Sequence, residues 1–209
     1  MSRKTIQAHA NAINVPFLIH FTRVVNLPLI MEHGLYPVSR VDEIGVTPQI
    51  NDELRLDGHR DGTSLSIAFP NYRMFWKYRQ ENKGVEWVVL GVDSSVLWLK
   101  DCAFCRHNAA DARISCQSTN QLKTPAAFTG MFEEIAGLST RQEQRLNPSD
   151  PTDAQAEVLV FDVIEPSLII GAAFENAATR DAYQDSLGNR EIVVNRERKG
   201  FFATRSYMR

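Results

Sequence analysis

Short apolar runs separated by polar segments set the pattern of this chain. The runs are rich in β-branched and aromatic residues, which favour the half-buried surface of a sheet. They predict strands at PFLIHF, SLSIAF, EWVVLGV, VLWL, VLVF, SLIIG, EIVVN and GFFA. Asp93, Ser94 and Ser95 are expected to form the turn between EWVVLGV and VLWL.

Several segments carry helix signals. In NLPLIMEHG, Asn26 is the expected N-cap, Pro28 lies in the first turn and Gly34 is placed to end the helix. A second helix, with interleaved aromatic and basic residues, is expected from about Asn71. Apolar positions at helical spacing predict an amphipathic helix in TPAAFTGMFEEIAG, and a further helix is expected in ENAATRDAYQDS.

The connections between these elements indicate the fold class. Residues 1–14 are interpreted as a polar lead-in, and residues 36–63 form a long polar connection of the kind that is usually functional or mobile. Strands and helices do not alternate regularly, so the expected class is α+β, with a mixed or antiparallel sheet and short flanking helices. The chain length fits one domain over residues 1–209.

The composition and the cysteine count indicate the cellular compartment. A hydrophobic content of 44% and a charged content of 23% are ordinary for a soluble globular protein. No apolar stretch approaches the roughly 20 residues that span a bilayer, and the N-terminal segment lacks the apolar core of a signal peptide. Three cysteines, an odd number, favour a reducing compartment. We therefore expect a cytoplasmic protein with no membrane partner.

Charge is unevenly distributed although the net charge is only −2. In NYRMFWKYRQENK, basic side chains alternate with aromatic ones. This combination suits single-stranded nucleic acid, because phosphates attract the cations and bases stack on the rings. The alternative is an amphipathic helix with a solvated face, which the pattern alone favours.

Motifs of the common enzyme classes do not occur in the sequence. There is no P-loop, no strand followed by G-x-G-x-x-G, no G-x-S-x-G and no H-E-x-x-H. Four residues could in principle bind zinc, namely Cys102, Cys105, His107 and Cys116. A single Cys-x-x-Cys pair is a weak signal, so buried cysteines at the corner between a strand and a loop are the preferred interpretation, and no metal is expected.

Isolated polar residues at strand ends are the remaining candidates. His20 and Thr22 would share one face of their strand, so an imidazole and a hydroxyl point the same way. The helix beginning near Asn26 would offer free N–H groups to an anion. Glu157 opens the hydrophobic strand VLVF. Without further information, a histidine or a carboxylate in such a position is usually structural.

Three segments resemble the DarT family of NAD-dependent DNA ADP-ribosyltransferases. They are IHFTRVVNLPLIMEHGL, LRLDGHRDGTSLSIAFPNYRMFWKYR and DAQAEVLV, in the family's order and over most of the chain. The resemblance implies an ADP-ribosyltransferase fold and NAD as co-substrate, with no metal. SIAFPNYRMFWKYR differs from the pattern of the thymidine-modifying branch, so thymine and guanine both remain open as the target base.

The resemblance also implies catalytic roles. Glu157 would stabilise the positive charge that develops on the ribose as nicotinamide leaves, and its strand-edge position is expected to keep it ionised and not buried. Residues 36–63 would be the NAD-binding loop, and about 118–156 the substrate-recognition loop. Arg55 is the expected essential arginine, which would hold phosphate or steer the base, with Arg60 as its rival.

Binding roles follow from the same resemblance. His20 and Thr22 would bind nicotinamide and its ribose, with the Phe21 backbone close by. The adenosine side would be shaped by Asn26, Ile30 and Gly34. Contacts to single-stranded DNA are expected from Tyr72, Arg73, Trp76 and Lys77, with Phe75 and Tyr78 as further stacking candidates.

The implied biology is that of a toxin countered by a DarG-like macrodomain antitoxin. Two alternatives remain open. One is transfer to RNA or protein, and the other is a non-catalytic module that binds nucleic acid.

Overall fold

A seven-stranded sheet forms the centre of the computed structural model, which describes residues 2–45, 48–49, 58–195 and 200–207. The strands are β1 (Leu18–Arg23), β2 (Thr63–Ile67), β3 (Trp87–Val92), β4 (Cys102–Cys105), β5 (Glu157–Val160), β6 (Ile169–Phe174) and β7 (Glu191–Val194). The helices are α1 (Ser2–Ala12), α2 (Leu27–His33), α3 (Tyr72–Glu81), α4 (Val96–Leu99), α5 (Ala112–Ser115), α6 (Thr119–Leu122), α7 (Pro125–Gly130) and α8 (Ala177–Tyr183). Short 3-10 helices connect several of them.

The strand order is β4-β5-β2-β1-β3-β6-β7, and β1 lies at its centre. Neighbouring strands pair antiparallel except for β6 and β7, which pair in parallel. The α+β class predicted from the sequence, with a mixed sheet and short flanking helices, is therefore confirmed.

Two apolar layers cover the sheet. On one side, Leu18, Leu90 and Val158 belong to a large buried cluster that also takes in residues of α1, α2 and α7. On the other side, Phe75 of α3 packs on Trp87 of β3, in a smaller aromatic cluster. The central strands are thus buried on both faces. Close packing on both sides keeps their backbone rigid, so the residues at their ends have defined positions.

Two predicted strands are helical turns instead. VLWL forms α4, because the Asp93 carboxylate accepts a hydrogen bond from the Ser95 amide and its carbonyl accepts one from the Val96 amide. That turn starts a helix in place of a hairpin. GFFA includes the 3-10 helix Gly200–Phe202 and is therefore not a strand. The rings of Phe201 and Phe202 pack against Phe17 and Phe75.

The helical predictions need two corrections. The interpretation of residues 1–14 as a polar lead-in was wrong, since α1 buries Ile6 and Ala10, which lie four residues apart on one face. In TPAAFTGMFEEIAG only Pro125–Gly130 is helical. Its N-cap is Thr124, whose hydroxyl accepts a hydrogen bond from the Ala127 amide. Within the described ranges, no helix combines the length and apolarity needed to cross a bilayer.

Candidate active site

A cleft of about 490 Å³ opens at the centre of the sheet. Its walls come from β1, α2, the connection after α2, β2, α3, the loop after β4 and the start of β5. A volume of this size falls within the range of cavities that enclose a cofactor-sized ligand. The candidate site residues named in the sequence analysis that line the cleft are His20, Phe21, Thr22, Asn26, Ile30, Gly34, Arg73, Lys77, Tyr78 and Glu157.

His20 and Thr22 lie on β1, and both line the cleft as their predicted common face requires. The Nδ1 atom of His20 lies 3.0 Å from the Ser64 carbonyl oxygen of β2. This carbonyl can only accept, so Nδ1 carries the proton in that contact. The hydroxyl of Thr22 accepts a hydrogen bond of 3.0 Å from Asn26 Nδ2. Both side chains are therefore held in defined orientations.

Asn26 occupies the predicted N-cap position of α2, but its side chain does not cap the helix. Its backbone is helical because a 3-10 turn, Val24–Asn26, leads into α2, and its side chain makes no capping bond. Instead, its Nδ2 donates to the Gln49 carbonyl at 2.9 Å and its Oδ1 accepts from the Gln49 amide at 2.9 Å. The Asn26 side chain thereby ties the connection after α2 to the floor of the cleft.

Gly34 ends α2, as the sequence predicts, with φ 99° and ψ −177°. This region of backbone space is essentially restricted to glycine. A Cβ at this position would lie 2.4 Å from the Ile164 carbonyl oxygen. Gly34 therefore allows the chain to turn against the segment after β5, at the edge of the cleft.

Glu157 begins β5 and lies in the cleft with its side chain buried, at 4% exposure. Its Oε2 accepts a hydrogen bond of 2.9 Å from the Ala109 amide, and its Oε1 accepts one of 3.1 Å from Asn108 Nδ2. The expected solvated edge position was wrong, because β5 lies between β2 and β4. N–H donors, and not bulk water, stabilise the carboxylate.

The aromatic-basic helix is α3, whose first turns form one wall of the cleft. Arg73 and Lys77 are exposed and line the cleft, and both also line a shallow groove on the other side of α3 with Tyr72 and Trp76. A hydrogen bond with the Tyr72 side chain, and the negative charge of Asp153, raise the pKa of Arg73. Its guanidinium is thus a fixed positive charge.

The aromatic residues of α3 differ in solvent exposure. Trp76 is 61% exposed, whereas Phe75 is 1% exposed and stacks on Phe21 with ring centroids 4.5 Å apart. The prediction that Phe75 is available for base stacking was therefore wrong. Tyr78 is partly buried and lines the cleft.

Of the two candidate arginines, the structure describes Arg60. Arg55 lies outside the described residues. Arg60 is exposed in the turn before β2, where its carbonyl accepts a hydrogen bond from the Ser39 amide. Its side chain is not among those that line the described cleft.

Two of the four candidate zinc ligands lie on opposite faces of one strand. Cys102 and Cys105 pack in different clusters on opposite faces of β4. Burial, with the nearby negative charge of Asp101, raises the pKa of the Cys102 thiol to about 12. Zinc needs thiolate ligands, so this environment opposes coordination. Among the described residues, no three His, Cys, Asp or Glu side chains form a group that could hold a metal.

Two arginines organise the segment before β5. The Arg141 guanidinium donates to the Asp150 and Asn147 carbonyls at 2.7 and 2.8 Å. Arg205, 6% exposed, reaches in from the end of the chain and donates to the Pro151 carbonyl at 2.6 Å. A long stretch with little regular structure is thus held in one conformation by charged hydrogen bonds.

Asn108 is a polar cleft residue that the sequence candidates did not include. It lines the cleft from the loop after β4 and contacts Glu157, which is 49 positions away in sequence. The available signal was the polar segment RHNAAD directly after the apolar run CAFC. The cysteines of CAFC indicate a possible metal site, and that interpretation does not predict the strand β4 that brings Asn108 to the cleft.

The chain is similar to known proteins over most of its length. Residues 19–202 match the family model described as DarT, ssDNA thymidine ADP-ribosyltransferase. No match was found among curated proteins.

Solved structures match at low identity. Thermus sp. 2.9 DarT in complex with NAD+ is 14% identical, with a TM-score of 0.54 and coverage of 85% of this chain and 94% of that one. The same protein in complex with ADP-ribosylated ssDNA is 13% identical, with a TM-score of 0.55 and coverage of 87% and 95%. Thermosipho africanus DarTG in complex with ADP-ribose is 15% identical, with a TM-score of 0.52 and coverage of 85%. This chain spans 49% of the Thermosipho chain, about half its length. These likenesses support the same fold.

Proposed function

Because this chain belongs to the DarT family of single-stranded-DNA thymidine ADP-ribosyltransferases, we propose that it transfers ADP-ribose from NAD to a thymine base in single-stranded DNA. The observation that carries the proposal is the cleft that brings His20, Thr22 and Glu157 together from β1 and β5. Thymine is chosen over guanine because the family description specifies thymidine.

The proposed reaction breaks the bond between nicotinamide and ribose. Its electron pair leaves with nicotinamide, which departs as a neutral ring, and positive charge builds on the ribose. The carboxylate of Glu157 stabilises this charge from a fixed position. A ring nitrogen of thymine then bonds to the ribose carbon and releases its proton to solvent. In this scheme Arg55 contacts a phosphate or steers the base, and Arg60 remains its rival.

NAD would lie along the floor of the cleft. His20 and Thr22 contact the nicotinamide and its ribose, beside the Phe21 backbone, while Ile30 and Gly34 shape the adenosine side. Polar groups on β1 and apolar side chains after α2, among them Val38, Val41 and Ile44, provide the mixed lining that a dinucleotide needs.

Asn26→Ala should weaken NAD binding roughly tenfold. The substitution removes the side chain that binds both backbone groups of Gln49 and the Thr22 hydroxyl. Losing about 1 kcal/mol or more of hydrogen bonding gives a change of this size. Calorimetric titration with NAD measures it, with Asn189→Ala in an exposed turn as the control. An unchanged dissociation constant would remove Asn26 from the NAD site.

Trp76→Ala should weaken binding of a single-stranded oligonucleotide about tenfold, because stacking of one base contributes roughly 1–3 kcal/mol. Trp76→Phe should restore most of the affinity. Since Trp76 is 61% exposed, neither variant should change the melting temperature. Fluorescence anisotropy with a labelled oligonucleotide provides the measurement, and equal affinity of all three proteins would place the DNA elsewhere.

One comparison separates the proposed substrate from the alternatives. Labelled NAD is incubated with the protein and, in parallel, with single-stranded DNA, duplex DNA, RNA or a protein mixture. The proposal predicts label on single-stranded DNA above all, since an unpaired base needs no extrusion. Label on RNA or protein would favour the second activity. Salt-sensitive binding without nicotinamide release would favour a non-catalytic module.

The remaining inferences follow from this activity. ADP-ribosylated bases would obstruct replication, so the protein would act as a toxin, and a DNA substrate agrees with the expected cytoplasmic location. Its partner is a DarG-like macrodomain antitoxin that removes the modification. Residues 1–209 form one catalytic domain, with residues 36–63 as the NAD-binding loop and about 118–156 as the substrate-recognition loop.

A further inference from the structure

Residues 107–110, in the loop after β4, provide two hydrogen-bond donors to the carboxylate of Glu157. Asn108 Nδ2 lies 3.1 Å from Glu157 Oε1, and the Ala109 amide lies 2.9 Å from Glu157 Oε2. Each carboxylate oxygen therefore has a separate N–H donor from one short loop. Hydrogen bonds to an ionised acceptor are stronger than those between neutral groups, so this pair restricts rotation of the Glu157 side chain.

The orientation of the Asn108 amide is determined by a second contact. Its Oδ1 accepts a hydrogen bond of 3.0 Å from the Ala110 amide. The amide oxygen is thus directed to its own loop, which leaves the NH2 group facing Glu157. A flipped amide would place an oxygen against the carboxylate and lose both hydrogen bonds.

The loop is itself anchored to the segment before β5. His107 is 4% exposed, and its Nδ1 lies 2.7 Å from Asp153 Oδ2. The other oxygen of Asp153 accepts from the Gln155 amide at 2.9 Å. Asp153 precedes Glu157 by four residues. The loop therefore binds both β5, through Glu157, and the segment that leads into β5, through Asp153.

We propose that Asn108 is a positioning residue that holds the Glu157 carboxylate toward the ribose of NAD. The inference rests on the proposed function, in which Glu157 stabilises the transition state. Both side chains line the cleft. A change in the Asn108 amide should therefore alter the orientation and the charge of the Glu157 carboxylate, while the parts of the NAD-binding surface that lie far from the reacting bond stay intact. A preorganised carboxylate needs no rearrangement when the charge develops.

N108D tests the proposal most sharply. Aspartate has the shape of asparagine and can still accept the hydrogen bond from the Ala110 amide, so the turn is preserved. It replaces the NH2 donor with a carboxylate oxygen next to Glu157, and two neighbouring carboxylates repel or share a proton. We expect kcat to fall about a hundredfold for N108D and about tenfold for N108A. KM for NAD should stay within about twofold for both.

N189D provides the matched control, since Asn189 lies exposed in the turn before β7. Melting curves of all variants check that they are folded. If N108A is destabilised, the kcat of N108D tests the positioning role, because aspartate keeps the turn. Wild-type kcat in N108D, or a change confined to KM, overturns the inference. E157Q is measured alongside them. An inactive E157Q with an active N108D refutes only the positioning role, whereas an active E157Q refutes the proposed function of Glu157 itself.

Discussion

Replacing Glu157 by glutamine is expected to lower the rate of ADP-ribose transfer by at least about a hundredfold. Glutamine has the same shape but no charge, so it cannot stabilise the positive ribose as the nicotinamide bond breaks. Removal of one preorganised electrostatic contact typically costs about 10²–10³ in kcat. NAD affinity should change only a few-fold, because the lost interaction acts mainly in the transition state.

Single-turnover assays with saturating NAD and oligonucleotide measure the chemical step directly. The glutamine NH2 group will face one of the two N–H donors that contact Glu157, so melting curves must show that the fold survives. Glu32→Gln is the control, because the Glu32 side chain is 70% exposed on α2. Near wild-type turnover in the folded Glu157→Gln variant would contradict the assignment.

Gly34→Ala is expected to have the largest effect on stability. A Cβ there would lie 2.4 Å from the Ile164 carbonyl oxygen, and the backbone at φ 99° disfavours any side chain. The turn between α2 and the segment after β5 must therefore shift. We expect a loss of about 3–5 kcal/mol, which lowers the melting temperature by roughly 10 °C in a chain of this size.

Gly84→Ala separates the collision from the backbone strain. Gly84 also has a positive φ, of 84°, but no atom lies within 4 Å of its added Cβ. This control should lose only about 1–2 kcal/mol, the cost of the left-handed backbone. If differential scanning calorimetry gives equal losses for the two variants, close packing at Gly34 is not what stabilises the turn.

The sequence contained enough information for the central strands and for the ends that they present to the cleft. His20 and Thr22 are two positions apart on a strand, so their common face follows from backbone geometry alone. The resemblance supplied Glu157, and the structure places it in the same cleft. Local periodicity therefore predicted the floor of the site well.

Contacts between distant segments could not be predicted in this way. The expected exposure of Glu157 was wrong because β4 pairs beside β5, which requires knowledge of the strand order. The loop that donates to the Glu157 carboxylate follows β4, and periodicity gives no sign that Asn108 meets a residue 49 positions later. Similarly, Asn26 takes the predicted N-cap position, but the local pattern gives no sign that its side chain binds Gln49 and not the helix.

Local signals also misled where two structures share one pattern. VLWL has the composition of a strand, but the Asp93 side chain caps the turn before it and starts a helix. At the N-terminus the apolar stripe consists of only two buried residues, Ile6 and Ala10, in an otherwise polar helix. Tertiary packing, here of α1 against α4 and α7, and not intrinsic propensity, determines such short elements.

Mass spectrometry of a defined oligonucleotide tests the central claim most directly. A single-stranded oligomer with one thymine is incubated with NAD and the wild-type protein, next to an oligomer in which cytosine replaces that thymine. We predict that only the first gains the mass of one ADP-ribose, that fragmentation places it on the thymine base, and that Glu157→Gln abolishes the gain. Equal modification of both oligomers, or nicotinamide release with neither modified, would contradict transfer to thymine from this cleft.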